Sequence, residues 1–146
     1  LEQVERISYA NISVAYDISG NAGTVAKIIA AMFGPAALQE EALVGQYLAM
    51  LDAGTSYEDT VAAAAASARF ETEAGSHSHA DFVDQVYFNI AGFHPSADVA
   101  AEYVAILERP GYSQGYLGML AADGDYNVAN ANLTGLALTG LEYTVV

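Results

Sequence analysis

One stretch of this chain is written twice. Gln46-Tyr47-Leu48-Ala49-Met50-Leu51 returns as Glu102-Tyr103-Val104-Ala105-Ile106-Leu107, 56 positions later (position 46 to position 102). The surroundings repeat as well. Phe33-Gly34-Pro35 precedes the first copy and Phe93-His94-Pro95 the second, while Gly54-Thr55-Ser56-Tyr57 and Gly111-Tyr112-Ser113-Gln114 follow. Duplication of a helical unit implies that each copy buries its apolar face partly against the other, and two copies are too few for a long solenoid. A compact bundle is therefore expected, with repeats over about 25–75 and 80–130. The tyrosine in each stripe is read as core, with ligand stacking as the alternative.

Periodicity fills in the rest. Ile12, Val14, Tyr16 and Ile18 alternate with Ser13, Ala15 and Asp17, and Val4, Arg6-Ile7 and Tyr9 form a β-rich run before them. A period of two predicts strands within residues 3–18, turning at Ala10-Asn11. Two strands alone are marginal in water. They must pack on the helices or continue a sheet that lies upstream. After the polar break 17–23 the pattern becomes helical. Val25, Ile28, Ile29, Met32 and Phe33 predict a first helix, and Leu38, Leu43, Tyr47, Leu48 and Leu51 a second. Thr55 or Ser56 caps a third, which runs through the alanines to about Phe70. Residues 71–78 read as a linker. Three more helices start near Asp81, Ser96 and Ser113. A last one carries Val128, Leu133, Leu136 and Leu138, before an extended tail. The expected fold is mainly α: about six or seven helices in a compact bundle of two related repeats, preceded by a short N-terminal β-hairpin. The division is a β segment at 1–20, read as the end of an upstream β-roll, and a helical domain at 21–146.

The chain has 146 residues, of which 53% are hydrophobic, so it can build a core without staples. It has no cysteine, which excludes disulfides and thiolate chemistry. Four basic residues face eighteen acidic ones, for a net charge of −14. Such a surface repels phosphate backbones and anionic lipids, which argues against nucleic acid as a partner. No apolar run approaches the roughly 18 residues of a membrane span, so membrane insertion is not expected. The first residue is Leu1 rather than Met, from which a fragment of a longer protein is expected.

Candidate chemistry is sparse. Gly111-Tyr112-Ser113-Gln114-Gly115 fits the nucleophile-elbow pattern, but that motif needs a strand before it and a His after it. Pro110 precedes it, and His77, His79 and His94 all lie upstream. His77 and His79 with Asp81 and Asp84 offer ligands for a transition metal. A helix start that favours Asp81 explains them equally. Asp123, Asp125 and Asn127 place oxygens at alternate positions, as calcium loops do, but lack the Gly and Glu of an EF-hand. An Asp-Gly turn is the plainer reading. Asp17 and Asn21 are a second calcium candidate, where a β-roll would end. No catalytic constellation is expected.

The repeated units resemble a degenerate copy of the domain-of-unknown-function family numbered 4214. The likeness rests on Leu51-Asp52-Ala53-Gly54-Thr55-Ser56, on Ser67-Ala68-Arg69-Phe70 and on the run from Asp81 to Ile90. It extends to Asn132-Leu133-Thr134-Gly135-Leu136 and Thr139-Gly140-Leu141-Glu142-Tyr143. The segment from Val4 to Gly23 looks like one that joins a calcium-binding β-roll to such a domain. The resemblance implies a non-catalytic module of type I secreted calcium-binding-repeat proteins or bacterial surface layers. Its location is then extracellular or at the cell surface. The expected partners are an upstream β-roll of the same chain, surface glycan, or another copy of itself, with calcium as the one candidate cofactor. Glu142-Tyr143-Thr144-Val145-Val146 resembles a type I secretion tail; an ordinary last strand accounts for it equally.

Overall fold

The computed structural model describes residues 5–146. Two strands, β1 (Arg6–Ser8) and β2 (Ser13–Ala15), form an antiparallel hairpin with Ala10-Asn11 at its tip. Eight helices follow in two runs of four. The first run is α1 (Asn21–Phe33), α2 (Glu41–Asp52), α3 (Tyr57–Ala65) and α4 (Ala68–Ala74). The second is α5 (His79–Ala91), α6 (Ala97–Leu107), α7 (Gln114–Ala122) and α8 (Asp125–Ala131). A 3-10 turn at Pro35–Gln39 joins α1 to α2. The chain closes with α9 (Leu133–Thr139) and β3 (Leu141–Tyr143). The mainly helical bundle with its N-terminal hairpin is what the pattern predicts.

The duplication is plain in the helix lengths. They run 13, 12, 9 and 7 residues in the first unit and 13, 11, 9 and 7 in the second. The units meet like on like: α1 packs on α5, and α3 on α7. Close approach of α3 and α7 depends on small residues. A Cβ at Gly118 would lie 2.6 Å from Val61 Cγ1, and one at Gly115 would lie 2.8 Å from the Glu58 carbonyl oxygen. The second glycine of the apparent nucleophile motif is thus a packing residue.

Helix α1 runs through the centre. All its residues but Asn21, Thr24 and Lys27 are buried, and it touches α2, α3, α5, α7 and α8. A helix that is apolar nearly all round belongs inside a bundle. Its alanines let neighbours come close on every side. Proline 35 leaves one problem at its end: the Ala31 carbonyl has no N–H four residues on, because proline has none. Asn89 of α5 supplies the missing donor through Nδ2, 3.0 Å away.

Two predicted helices are each broken in two. The third ends at Ala65 because Ser67 acts in both directions. Its hydroxyl donates to the Ala64 carbonyl (2.7 Å) and accepts from the Phe70 N–H (3.1 Å), closing α3 and capping α4. Helix α4 then extends through the predicted linker to Ala74. The last predicted helix breaks at Asn132, which adopts a left-handed φ of 53° between α8 and α9. Serine caps recur: Ser56, Ser67, Ser78, Ser96 and Ser113 each accept the N–H three residues on. Each contributes about 1 kcal/mol.

The tail is not simply extended. β3 pairs with β2 in the register Ser13↔Tyr143 and Ala15↔Leu141, making β2 the buried centre of a three-stranded sheet. Beyond it the Thr144 N–H donates to the Glu41 carbonyl of α2 (2.9 Å). The backbone there crosses α2 so closely that a Cβ at Gly45 would sit 1.8 Å from the Thr144 oxygen. The observed strands are shorter than the predicted runs: the Tyr16 N–H still donates to the Glu5 carbonyl (2.6 Å), but Ile18 already belongs to the turn into α1. Residues 3 and 4 of the predicted first strand lie outside the described residues.

Candidate functional site

The residues singled out in the sequence fall into separate places. Asp17 and Asn21 do come together, with Asp52 of α2, around the guanidinium of Arg6. Arg6 Nε and Nη2 donate to the two Asp17 oxygens at 2.6 and 2.7 Å, and Nη1 donates to Asp52 Oδ2 at 2.7 Å. Asn21 Nδ2 donates to Asp52 Oδ1 at 2.9 Å. Burial pushes the Asp17 carboxyl up, but its hydrogen bonds and charge pairing with Arg6 outweigh that and hold it below its ordinary value. The hydrogen bond from Arg6 does the same for Asp52. Asp17 Oδ2 also accepts the Ala22 N–H (3.3 Å), serving the start of α1 where Gly20 offers no side chain. A protein cation thus stands where the calcium reading put a metal ion, and it ties the hairpin to α1 and α2.

Asp123, Asp125 and Asn127 diverge. Asp123 Oδ1 accepts from Lys27 Nζ (2.7 Å) and from the Tyr57 hydroxyl (3.0 Å). Burial raises the Asp123 carboxyl, and Lys27 with Tyr57 bring it below its usual range. Burial and the neighbouring Asp123 carboxylate push the Tyr57 hydroxyl well above its ordinary value. Asp125 is exposed in the first turn of α8, and Asn127 is fully buried. The histidine pair separates too. His77 Nδ1 donates to the Ala65 carbonyl (2.9 Å), His79 Nδ1 accepts from Gln114 Nε2 (3.0 Å), Asp81 accepts from Ser76, and Asp84 pairs with His94. Among the described residues no three such side chains converge as a metal site. Ser113 caps α7 and its hydroxyl also donates to Glu58 Oε1 (3.2 Å). Of the tail, Glu142 and Tyr143 lie in β3, Thr144 is tied to α2, and Val145 and Val146 are exposed.

A concavity lies elsewhere. A groove of about 830 Å³ runs between α5, α7 and α8, with Tyr103 of α6 and Phe93 at its edge. Its walls carry Val83, Val86, Ile90, Leu117 and Leu120, and the rings of Phe82, Tyr87 and Tyr126. Asn127 and Asn130 also line it. No Asp, Glu, His, Lys or Arg lines it. Volume and lining are those of a small-molecule site: mostly apolar and aromatic, with a few polar groups. Phe93 is 62% exposed and Tyr126 81%.

One atom near this groove is out of order. Asn127 Nδ2 donates to the Lys27 carbonyl of α1 (3.0 Å) and to the Ala122 carbonyl of α7 (2.8 Å). Two carbonyls can only accept, so the amide orientation is fixed. Asn127 Oδ1 is then left buried without a donor. An unmet acceptor of this kind costs about 1–3 kcal/mol. The buried Asn89, by contrast, is satisfied at both ends, since Gln85 Nε2 donates to its Oδ1 (3.0 Å).

Sequence reasoning placed Asn127 in a calcium loop and missed its burial. The signal was available. Carrying the alignment of the two copies past Ser67 and Gly124 sets Asn127 against Phe70, and a core aromatic exchanged for an amide marks a changed site. Comparison of the chain with family models, with curated proteins and with solved structures yields no match.

Proposed function

We propose that this chain is a non-catalytic interaction domain of a secreted or surface-attached bacterial protein, and that it binds its ligand in the groove between α5, α7 and α8. The observation that carries this reading is the lining of that groove: aromatic and aliphatic walls with tyrosine hydroxyls and amides as its polar groups, and no carboxylate, imidazole or amine beside them to activate a hydroxyl. Ser113, the sequence's best nucleophile candidate, supports the same reading, because its hydroxyl faces a carboxylate and a helix N–H rather than an imidazole. The acidic surface, the absence of cysteine and the family resemblance support an exported setting. In a three-stranded sheet ordered β1-β2-β3, the outer edge of β1 is where an upstream β-roll would add its strands.

The test is an amide-resolved NMR titration of the full chain with a library of neutral fragments and short oligosaccharides. Shifts confined to α5, α7 and α8, with the ligand recovered unchanged, support the proposal. Shifts centred elsewhere, or a ligand that is turned over, overturn it. A glycan is the second reading, favoured by the exposed rings of Phe93 and Tyr126 beside Asn130; oligosaccharide shifts at those three residues would establish it.

A further inference from the structure

A second hollow, of about 470 Å³, lies where the two units meet at the ends of their first helices. Phe33 and Gly34 close α1 on one side of it, and Ala91 and Gly92 close α5 on the other. Glu73, the sixth residue of α4, lines it together with its counterpart Asn130, the sixth of α8. Gln85 and Asn89 of α5 add two more amides. The nitrogens of these amides are turned to the protein. Gln85 Nε2 donates to Asn89 Oδ1 (3.0 Å), Asn89 Nδ2 to the Ala31 carbonyl (3.0 Å) and Asn130 Nδ2 to the Ile90 carbonyl (2.7 Å). Gln85 and Asn130 keep their oxygens for an occupant. The backbone adds few donors. The Gly34 and Gly92 N–H groups are spent on the Ala30 and Phe88 carbonyls, and Pro35 has none.

We propose that this hollow binds a small primary ammonium ion carried on an apolar stem. Its charge is negative from three sources. The C-termini of two 13-residue helices meet there, each equivalent to about half a negative charge, and neither has a basic residue in its last turn. Glu73 contributes a carboxylate. Arg69 pairs with it but also holds Glu40 through both oxygens (2.8 Å each), so one cation serves two carboxylates and a negative charge stays in excess. Among the described residues no Lys, Arg or His lines the hollow. An ammonium group brings three donors to a wall of acceptors, whereas a quaternary ammonium brings charge alone. Phe33, Pro35, Phe88 and Ile90 suit the stem, and the volume is that of a small-molecule site. The hollow shares only Ile90, Ala91 and Asn130 with the groove, and its case does not depend on what the groove does.

Three probes with one ring test this in the full chain. Benzylammonium carries charge and donors, benzyltrimethylammonium charge without N–H, and benzyl alcohol a hydroxyl without charge. The measurement is an amide-resolved NMR titration at about 0.15 M salt, where diffuse attraction to the acidic surface is screened. Benzylammonium should bind about 5- to 10-fold tighter than either of the others, with shifts centred on residues 33–36 and 85–92. Glu73→Gln should weaken benzylammonium about 5-fold and leave benzyl alcohol unchanged. That variant keeps the Arg69–Glu40 pair and removes only an exposed one, so it is expected to fold. Equal binding of benzyltrimethylammonium overturns recognition through donors. Benzylammonium affinity that Glu73→Gln does not change overturns the site, as does the absence of saturable shifts. Shifts centred on Leu117 and Leu120 would place the probe in the groove instead, and overturn the site while leaving the groove reading standing.

Discussion

Arg6, Lys27 and Arg69 are three of the four basic residues in a chain with eighteen acidic ones. Each reaches carboxylates on another part of the fold. Arg6 joins Asp17 and Asp52, Lys27 joins Asp123, and Arg69 of α4 joins Glu40 as well as Glu73 of its own helix. Exposed pairs of this kind contribute little. The Arg6 cluster differs, since the Asp17 side chain is only 11% exposed. Replacing Arg6 by Gln keeps donors and removes the charge. The expected loss is about 1–2 kcal/mol at neutral pH, read from urea unfolding. Because Arg6 holds both carboxyls below their ordinary values, its contribution is fully present above the unfolded carboxyl pKa of about 4. It is lost as pH falls through the folded values. The gap between wild type and Arg6→Gln should therefore close in acid; a gap that stays constant with pH would refute the charge account.

At the scale of elements, the contrast between α2 and α6 organises the molecule. Both carry the repeated Tyr stripe, yet α2 buries Val44, Tyr47, Leu48 and Leu51, whereas α6 buries only Leu107. One cause is visible at the fifth helical position. Gly45 of α2 admits the backbone after β3, tied by the Thr144 N–H to Glu41. Ala101 of α6 stands at the matching position and is exposed. Gly45→Ala should lever that segment off, destabilise the fold by about 2 kcal/mol and speed amide exchange at Leu141–Tyr143. Unchanged exchange there would show that the crossing does not hold the strand. Much of this scale was legible beforehand: the helix order, the serine caps, the hairpin turn and the duplication all follow from local pattern. The third strand was not, because pairing Tyr143 with Ser13 joins the two ends of the chain and leaves no local trace. The two helix breaks were missed for a different reason. Ser67 ends one helix and starts another with a single hydroxyl, inside a run of alanines whose propensity argues for continuity. The groove was hidden likewise, since identical Tyr stripes gave no sign that one tyrosine would be core and the other half-exposed.

For the whole molecule, a net charge of −14 means that the folded state works against its own repulsion. Raising salt from about 0.01 M to about 0.15 M should increase the thermal midpoint by about 3 °C, as screening relieves that repulsion more than it weakens the few ion pairs. A midpoint that falls with salt would mean the ion pairs dominate. The like-on-like packing of α1 on α5 and α3 on α7 has a consequence of its own. It is the arrangement of a two-fold dimer whose subunits share one polypeptide. In a dimer of identical subunits, every substitution appears twice, so a core ring given up on one side is given up on both. Fusion lifts that constraint. One half can keep Phe33, Tyr47 and Phe70 as the keystone of the fold, while the other half is released to open a space.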